Sequence, residues 1–308
     1  MAQSTLPAPL IRSRLESGKV IPFLGSGASL GERNPRAQPW DPKDAAHLPN
    51  AAELAEHLAK PVKFPADEVA KELTKIAKYY ELMAGRDILD EELHTVFARQ
   101  AKHTAIHTCL AGNPAPLLVI STNYDDLMER ALAEQGREYD LVIHLTPATL
   151  KRVTDNERAD SLLWRPHGGE PRFVTDDDLA EIDLKKTFVI YKMHGSIDLD
   201  NTARDSYVIT EDDYIDFLTR MTGQGARVIP SFVAKHMAQR NLLFLGYSLR
   251  DWNLRVLLNQ IERLSYRSIT SWAIQYNPSM MEEQFWDKRN VEIFNLKVDE
   301  FVEVLRKG

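Results

Sequence analysis

One stretch near the N-terminus limits the fold more than any other: Val20-Ile21-Pro22-Phe23-Leu24-Gly25-Ser26-Gly27-Ala28-Ser29-Leu30. A short apolar run that breaks into small residues is the pattern of a buried parallel strand entering a tight turn. Gly25, Ser26, Gly27, Ala28 and Ser29 put no bulky or charged side chain in that turn. A ligand can therefore approach the main chain, and bare N–H groups can face a diphosphate beside the positive end of the helix that follows. Leu30 and Gly31 are displaced from the Gly-x-Gly-x-x-Gly fingerprint, so the turn alone also fits a plain strand-to-helix connection.

The rest of the chain repeats this alternation. Strand patterns recur at Pro116–Ser121, Tyr139–His144, Thr187–Met193, Asn241–Ser248, Ser268–Gln275 and Val291–Leu296. Helical spacing marks Leu10–Ser17, Ala51–Ala59, Ala66–Met83, Asp90–Leu110 and Leu127–Glu134. It returns after the N-cap at Thr210 as far as Met221, then over Val228–Arg240, Asp251–Leu264, Ser279–Lys288 and Asp299–Arg306. Strands alternating with helices predict an α/β fold: a doubly wound, mostly parallel, Rossmann-like sheet with a helical insertion. The predicted organisation is one domain over residues 1–308. The helical insertion covers about 31–112, opening with a Pro- and Asn-rich loop at Gly31–Asn50 over the first turn. A second, irregular insertion, holding a hairpin or a short helix, covers about 146–186.

Composition narrows the function classes. The net charge of -7 argues against a surface built for nucleic acid. Cys109 is the only cysteine and sits in a helical pattern, which excludes a disulfide framework and a four-cysteine zinc module. The acidic residues show no paired metal-ligand spacing, so no metal is expected. There is no leader pattern and no apolar run of membrane-spanning length, so the expected location is the cytoplasm.

Doubly wound sheets bind ligands beyond the carboxyl ends of their strands. Here those ends carry Gly25-Ser26-Gly27, Asn123-Tyr124-Asp125, His194-Gly195-Ser196 and Gly246-Tyr247-Ser248. Asn123 and Asp125, two apart, fit either of two roles. They can hold a ribose hydroxyl or a water, or they can cap the next turn and helix. His194 reads as a general base or as a structural histidine, with His144 and His167 as lesser candidates. Gly246 and Ser248 read as a second backbone cradle or as a simple loop.

Taken in order, Phe-Leu-Gly-Ser-Gly-Ala-Ser, Ser-Thr-Asn-Tyr-Asp-Asp-Leu, Lys-Met-His-Gly-Ser-Ile-Asp and Phe-Leu-Gly-Tyr-Ser-Leu resemble the sirtuin superfamily. They are similar to its divergent bacterial branch, the sirtuin-like NAD hydrolases of antiphage defence. Thr-Glu-Asp-Asp-Tyr at 210–214 and Ser-Leu-Arg-Asp-Trp-Asn at 248–253 strengthen the likeness. The resemblance implies NAD as substrate, its diphosphate on Gly25, Ser26, Gly27, Ala28 and Ser29. It implies that Asn123 and Asp125 meet the nicotinamide ribose and its water, with His194 as the catalytic histidine. Gly246 and Ser248 would line the adenosine side. Members of that branch act as homo-oligomers, and some pair with a hexameric motor ATPase or a short Argonaute-type protein. The missing zinc module favours water as the acceptor. The implied function is an NAD⁺ glycohydrolase that depletes NAD⁺ in antiphage defence under control by assembly. The alternatives are an NAD-dependent deacylase or ADP-ribosyltransferase, or a non-catalytic NAD or ADP-ribose sensor.

Overall fold

The computed structural model describes residues 5–65, 72–153, 162–222, 228–247, 256, 259 and 269–307. Its sheet is built from β1 (Val20–Leu24), β2 (Leu118–Ser121), β3 (Tyr139–His144), β4 (Leu162–Arg165) and β5 (Arg172–Val174). β6 (Phe188–Lys192), β7 (Asn241–Leu245), β8 (Ser271–Ile274) and β9 (Val291–Phe294) complete it. The nine strands lie in the order β5-β4-β3-β6-β2-β1-β7-β8-β9. From β3 through β9 every pairing is parallel; β4 and β5 add antiparallel strands at one edge. The α/β, doubly wound, mostly parallel expectation holds. β1 has β2 on one side and β7 on the other, so strand order reverses about it. A crevice opens at such a reversal.

The central strands are apolar along most of their length because they feed two cores, not one. Ile21, Phe23, Leu118, Ile120, Val189, Tyr191, Leu242 and Phe244 point into the core on one face. Val20, Leu24, Val119, Phe188, Ile190, Leu243 and Leu245, the alternate positions, point into the core on the other. Helices cover both faces. They are α1 (Ala8–Glu16), α2 (Ala51–Ala59), α3 (Leu73–Ala84), α4 (Arg86–Phe97), α5 (Ala105–Ala111) and α6 (Leu127–Glu134), followed by α7 (Pro147–Val153), α8 (Glu211–Thr222), α9 (Ser231–Gln239), α10 (Met280–Asp287) and α11 (Val298–Lys307). No helix among the described residues is long and apolar enough to cross a membrane.

The chain between β1 and β2 is helical, and α2, α3 and α4 form a third core around Leu58, Ile76, Leu89 and Leu93. That core is fastened to the sheet by aromatic edges. Tyr124 packs edge-on against Phe97 and Tyr207 at 5.2 and 5.3 Å and donates its hydroxyl to Val208 O at 2.7 Å.

Two local expectations change. The helix predicted over Asp90–Leu110 is two helices, α4 and α5. Thr104 interrupts it by starting a new helix: its N–H donates to the His107 ring at 3.2 Å, and its hydroxyl donates to Ala28 O at 2.8 Å. The second start therefore anchors α5 to the glycine turn. The 146–186 segment holds both a helix, α7, and the hairpin β4–β5. The helix predicted over Ala66–Met83 is described from Leu73 onward. The helix predicted over Asp251–Leu264 lies outside the described residues except at 256 and 259.

Candidate functional site

The strand ends open into a cleft of about 840 Å³, its mouth included. The floor is Gly25, Ser26, Ser29, Asn123, Asp125, His194, Gly246 and Tyr247. The facing wall comes from the insertion: Leu48, Pro49 and Asn50 at the end of the 31–50 loop, then Leu54, Leu73 and Phe97. Tyr214 of α8 closes one side. Its helix start is set by Thr210 and Asp213, which cap each other: the Asp213 N–H donates to the threonine hydroxyl, and the Thr210 N–H to the carboxylate.

The glycines after β1 and β7 serve first to bring two turns together. Gly246 has φ of +64°, and a Cβ there would stand 2.1 Å from Ala28 N. A Cβ on Gly27 would meet Gly246 Cα at 2.8 Å. The amides in this contact are not bare. Gly25 donates to Leu245 O, Gly27 to Gly246 O and Ala28 to Gly25 O, at 3.0, 2.9 and 2.9 Å. Gly27 and Ala28 consequently stay off the cleft surface, and Ser26, exposed at the outer edge, is the turn residue that faces solvent. This departs from the expectation of a row of free N–H groups, because adjoining parallel strand ends use them to pair.

Asn123, Ser29 and Asp125 form one buried network. The Ser29 hydroxyl donates to Asp125 Oδ2 at 2.9 Å, and Asn123 Nδ2 donates to Ser29 Oγ and to Gly25 O, both at 3.0 Å. Asp125 Oδ1 accepts the Leu127 N–H at 3.1 Å, so this residue also caps α6. A backbone carbonyl can only accept, which fixes the orientation of the Asn123 amide. Its nitrogen is spent on the protein, and its Oδ1 is left as an acceptor in a residue lining the cleft.

His194 is 3% exposed, with its ring edge-on to Tyr214 at 5.5 Å and to Phe217 at 5.1 Å. Its Nε2 is buried and has no hydrogen-bond partner among the described residues. Burial pulls its pKa down to about 3, so the imidazole is neutral. Of the lesser candidates, His144 is buried with its ring nearly perpendicular to Phe217 at 5.7 Å, and His167 is half exposed beyond the cleft. Neither lines the cleft. Ser248 lies outside the described residues. No cluster of His, Cys, Asp and Glu suited to a metal occurs among the described residues.

Residues 117–294, more than half of the chain, match the SIR2-like domain. The chain belongs to this family. Defense-associated sirtuin 2 of Bacillus subtilis is 24% identical over 284 residues, covering 91% of this chain and 23% of that protein. NAD(+) hydrolase ThsA of Acinetobacter baumannii (strain 532279) is 27% identical over 198 residues, 62% of this chain and 31% of that protein. The ThsA of Bacillus cereus (strain MSX-D12) is 26% identical over 212 residues, 68% and 36%. This SIR2-like chain thus spans between 23% and 36% of the length of these curated relatives.

Sequence reasoning missed the wall. Leu54, Leu73 and Phe97 read only as the apolar stripe of their helices, and nothing in a stripe says that its end reaches a cleft. The loop before α2 carried a signal, its length and composition, and its last residues do line the site.

Proposed function

We propose that this SIR2-like chain cleaves the nicotinamide–ribose bond of NAD⁺ with water, giving nicotinamide, ADP-ribose and a proton. The observation that carries the reading is the pairing, in one cleft, of an asparagine whose amide can only accept with a neutral buried histidine. The names of the ThsA relatives, NAD(+) hydrolases, support the same chemistry.

In this reading the electron pair of the C1′–N bond passes to the pyridinium nitrogen, and positive charge moves to the ribose. Asn123 Oδ1 faces that charge and orients the ribose hydroxyls or the attacking water. A dipole already fixed by Gly25 O and Ser29 needs no reorganisation as the charge develops. His194 accepts the proton shed by the water and releases it to solvent. The cleft-facing part of the Gly25–Ser29 turn, Gly25 and Ser26, meets the diphosphate, Gly27 and Ala28 supporting it from behind, with Ser29 and Asp125 holding Asn123 in place. Gly246 and Ser248 line the adenosine side. The apolar wall of Leu54, Leu73 and Phe97 excludes water from the reacting carbon.

Residues 1–308 act here as one catalytic unit, roofed by the 31–112 insertion. The unit depletes cytoplasmic NAD⁺ in antiphage defence; the name of the Bacillus subtilis relative, a defense-associated sirtuin, supports the association with defence. Because free hydrolysis harms the host, assembly into a homo-oligomer, alone or with a hexameric motor ATPase or a short Argonaute-type partner, controls it.

The test is NAD⁺ consumption by the purified chain, with Asn123→Ala and His194→Ala beside it and products resolved by chromatography. Nicotinamide and ADP-ribose are expected, falling on the order of a hundredfold or more in either variant. O-acyl-ADP-ribose from an acylated peptide would replace hydrolysis with deacylation. Bound, uncleaved NAD⁺ in every assembly state would leave a sensor.

A further inference from the structure

β6 is apolar until its last residue, which is a lysine. Lys192 is 1% exposed, and its Nζ donates to the main-chain oxygen of Asp125 and pairs with Glu129 Oε1 at 3.0 Å. Glu129, on α6, is itself buried, and burial pushes its carboxyl pKa up against the pull of the ammonium. Burying such a pair costs desolvation that its attraction does not reliably return, so stability is a poor account of it.

Position is a better one. The ladder between β2 and β6 stops at Ser121 and Lys192, and Met193 N donates the last bond, to Ser121 O at 2.9 Å. Past that point two segments diverge, one carrying Asn123 and Asp125 and the other His194. The lysine sits on the His194 strand and grips the Asp125 turn. Further along, Ile197 N and Ser196 Oγ both donate to Tyr124 O, at 3.0 and 3.3 Å, so Lys192 is the tie nearest Asp125 and His194.

We propose that Lys192 is a positioning residue: its ammonium fixes the Asn123–Asp125 turn relative to His194, and Glu129 holds that ammonium and balances its charge. The balance matters because a bare cation beneath the site would oppose the positive charge that develops on the ribose. The inference rests on reading the cleft as the NAD⁺-cleaving site.

The experiment compares the full chain with Glu129→Gln, Lys192→Met and the double variant Lys192→Met/Glu129→Met. The last removes both charges and keeps the volume, should the single lysine variant fail to fold. Each folded variant is expected to lose at least tenfold in kcat with KM for NAD⁺ within threefold. Amide hydrogen exchange over residues 122–127 should quicken at least tenfold in the lysine variants, while β1 and β7 keep their protection. A folded double variant with kcat within twofold and unchanged exchange would overturn the proposal, and so would a change confined to thermal stability. If the wild type leaves NAD⁺ intact in every assembly state, the hydrolase reading fails separately, and exchange at 122–127 still decides whether Lys192 holds the turn.

Discussion

At the scale of single residues, space and conformation can be told apart by two glycines. Gly136, the stop after α6, has φ of +63° and nothing within 4 Å of where a Cβ would be. Gly246 has nearly the same φ but would drive a Cβ into Ala28 N. Gly136→Ala should therefore cost only the left-handed penalty, about 1–2 kcal/mol. Gly246→Ala adds an overlap that backbone on both sides cannot yield to, and should cost about 3 kcal/mol or more. Urea unfolding of the two variants measures the difference. Similar midpoints would mean that the β1 and β7 turns do not rely on their close approach. The same contact explains why the Gly-Ser-Gly-Ala-Ser pattern was legible as a turn at a strand end while the use of its amides was not. Sequence reports that side chains are small there, but not which carbonyl lies opposite.

At the scale of elements, what was legible had a period. The buried strands read as unbroken apolar runs, and α2, α6 and β3 begin and end where caps, glycines and spacing put them. What was not legible is held by pairs distant in sequence. Arg33 clasps Glu53 through both carboxylate oxygens, at 2.6 and 2.7 Å, and donates to Leu48 O at 2.9 Å. Glu53 accepts in addition from Trp40 N and Asn50 N, both at 2.8 Å. One buried ion pair thereby shapes the loop whose end, Leu48–Asn50, lines the cleft, and no local pattern announces it. Arg33→Met leaves the Glu53 carboxylate without its cation and frees Leu48 O. The expected result is a several-fold rise in KM for NAD⁺ with a smaller change in kcat, because the wall moves while Asn123 and His194 do not. Pairing it with Glu53→Gln should restore part of the lost stability, since the uncompensated charge is removed while an acceptor stays for the Trp40 and Asn50 N–H groups. Steady-state kinetics with thermal melts decides this, and an unchanged KM would detach the loop from the site.

At the scale of the whole molecule, burial of histidines sets how the fold answers acid. His107, His144 and His194 are all enclosed, and burial brings each from its ordinary 6.5 to about 3. A pKa lowered on folding means that the unfolded chain binds protons the native state refuses. Stability is then fully present above pH 6.5 and drains away as pH falls toward 3. From pH 7.5 to 5.5 each such group removes about 1.4 kcal/mol, so the three together remove about 4 kcal/mol. That is a large part of a typical total of about 5–15 kcal/mol. Carboxyls raised by burial, at Asp90, Glu129 and Asp205, act in the opposite sense: each adds stability at low pH that is lost as pH rises from its ordinary value near 4. These carboxyl contributions are common to the wild type and a histidine variant, so the difference between the two isolates the histidine slope. His144, edge-on to Phe217 with Nδ1 unpartnered, offers the control, because Phe can replace it without breaking a bond to that nitrogen. Half-buried His236, brought down to about 4 by burial, acts in the same direction. Urea unfolding at pH 7.5, 6.5 and 5.5 should therefore show the wild type losing at least about 4 kcal/mol and His144→Phe losing about 1.4 kcal/mol less than the wild type. A flat wild-type profile would mean that these rings reach solvent in the native state, and it would remove the reason for expecting His194 to enter catalysis uncharged.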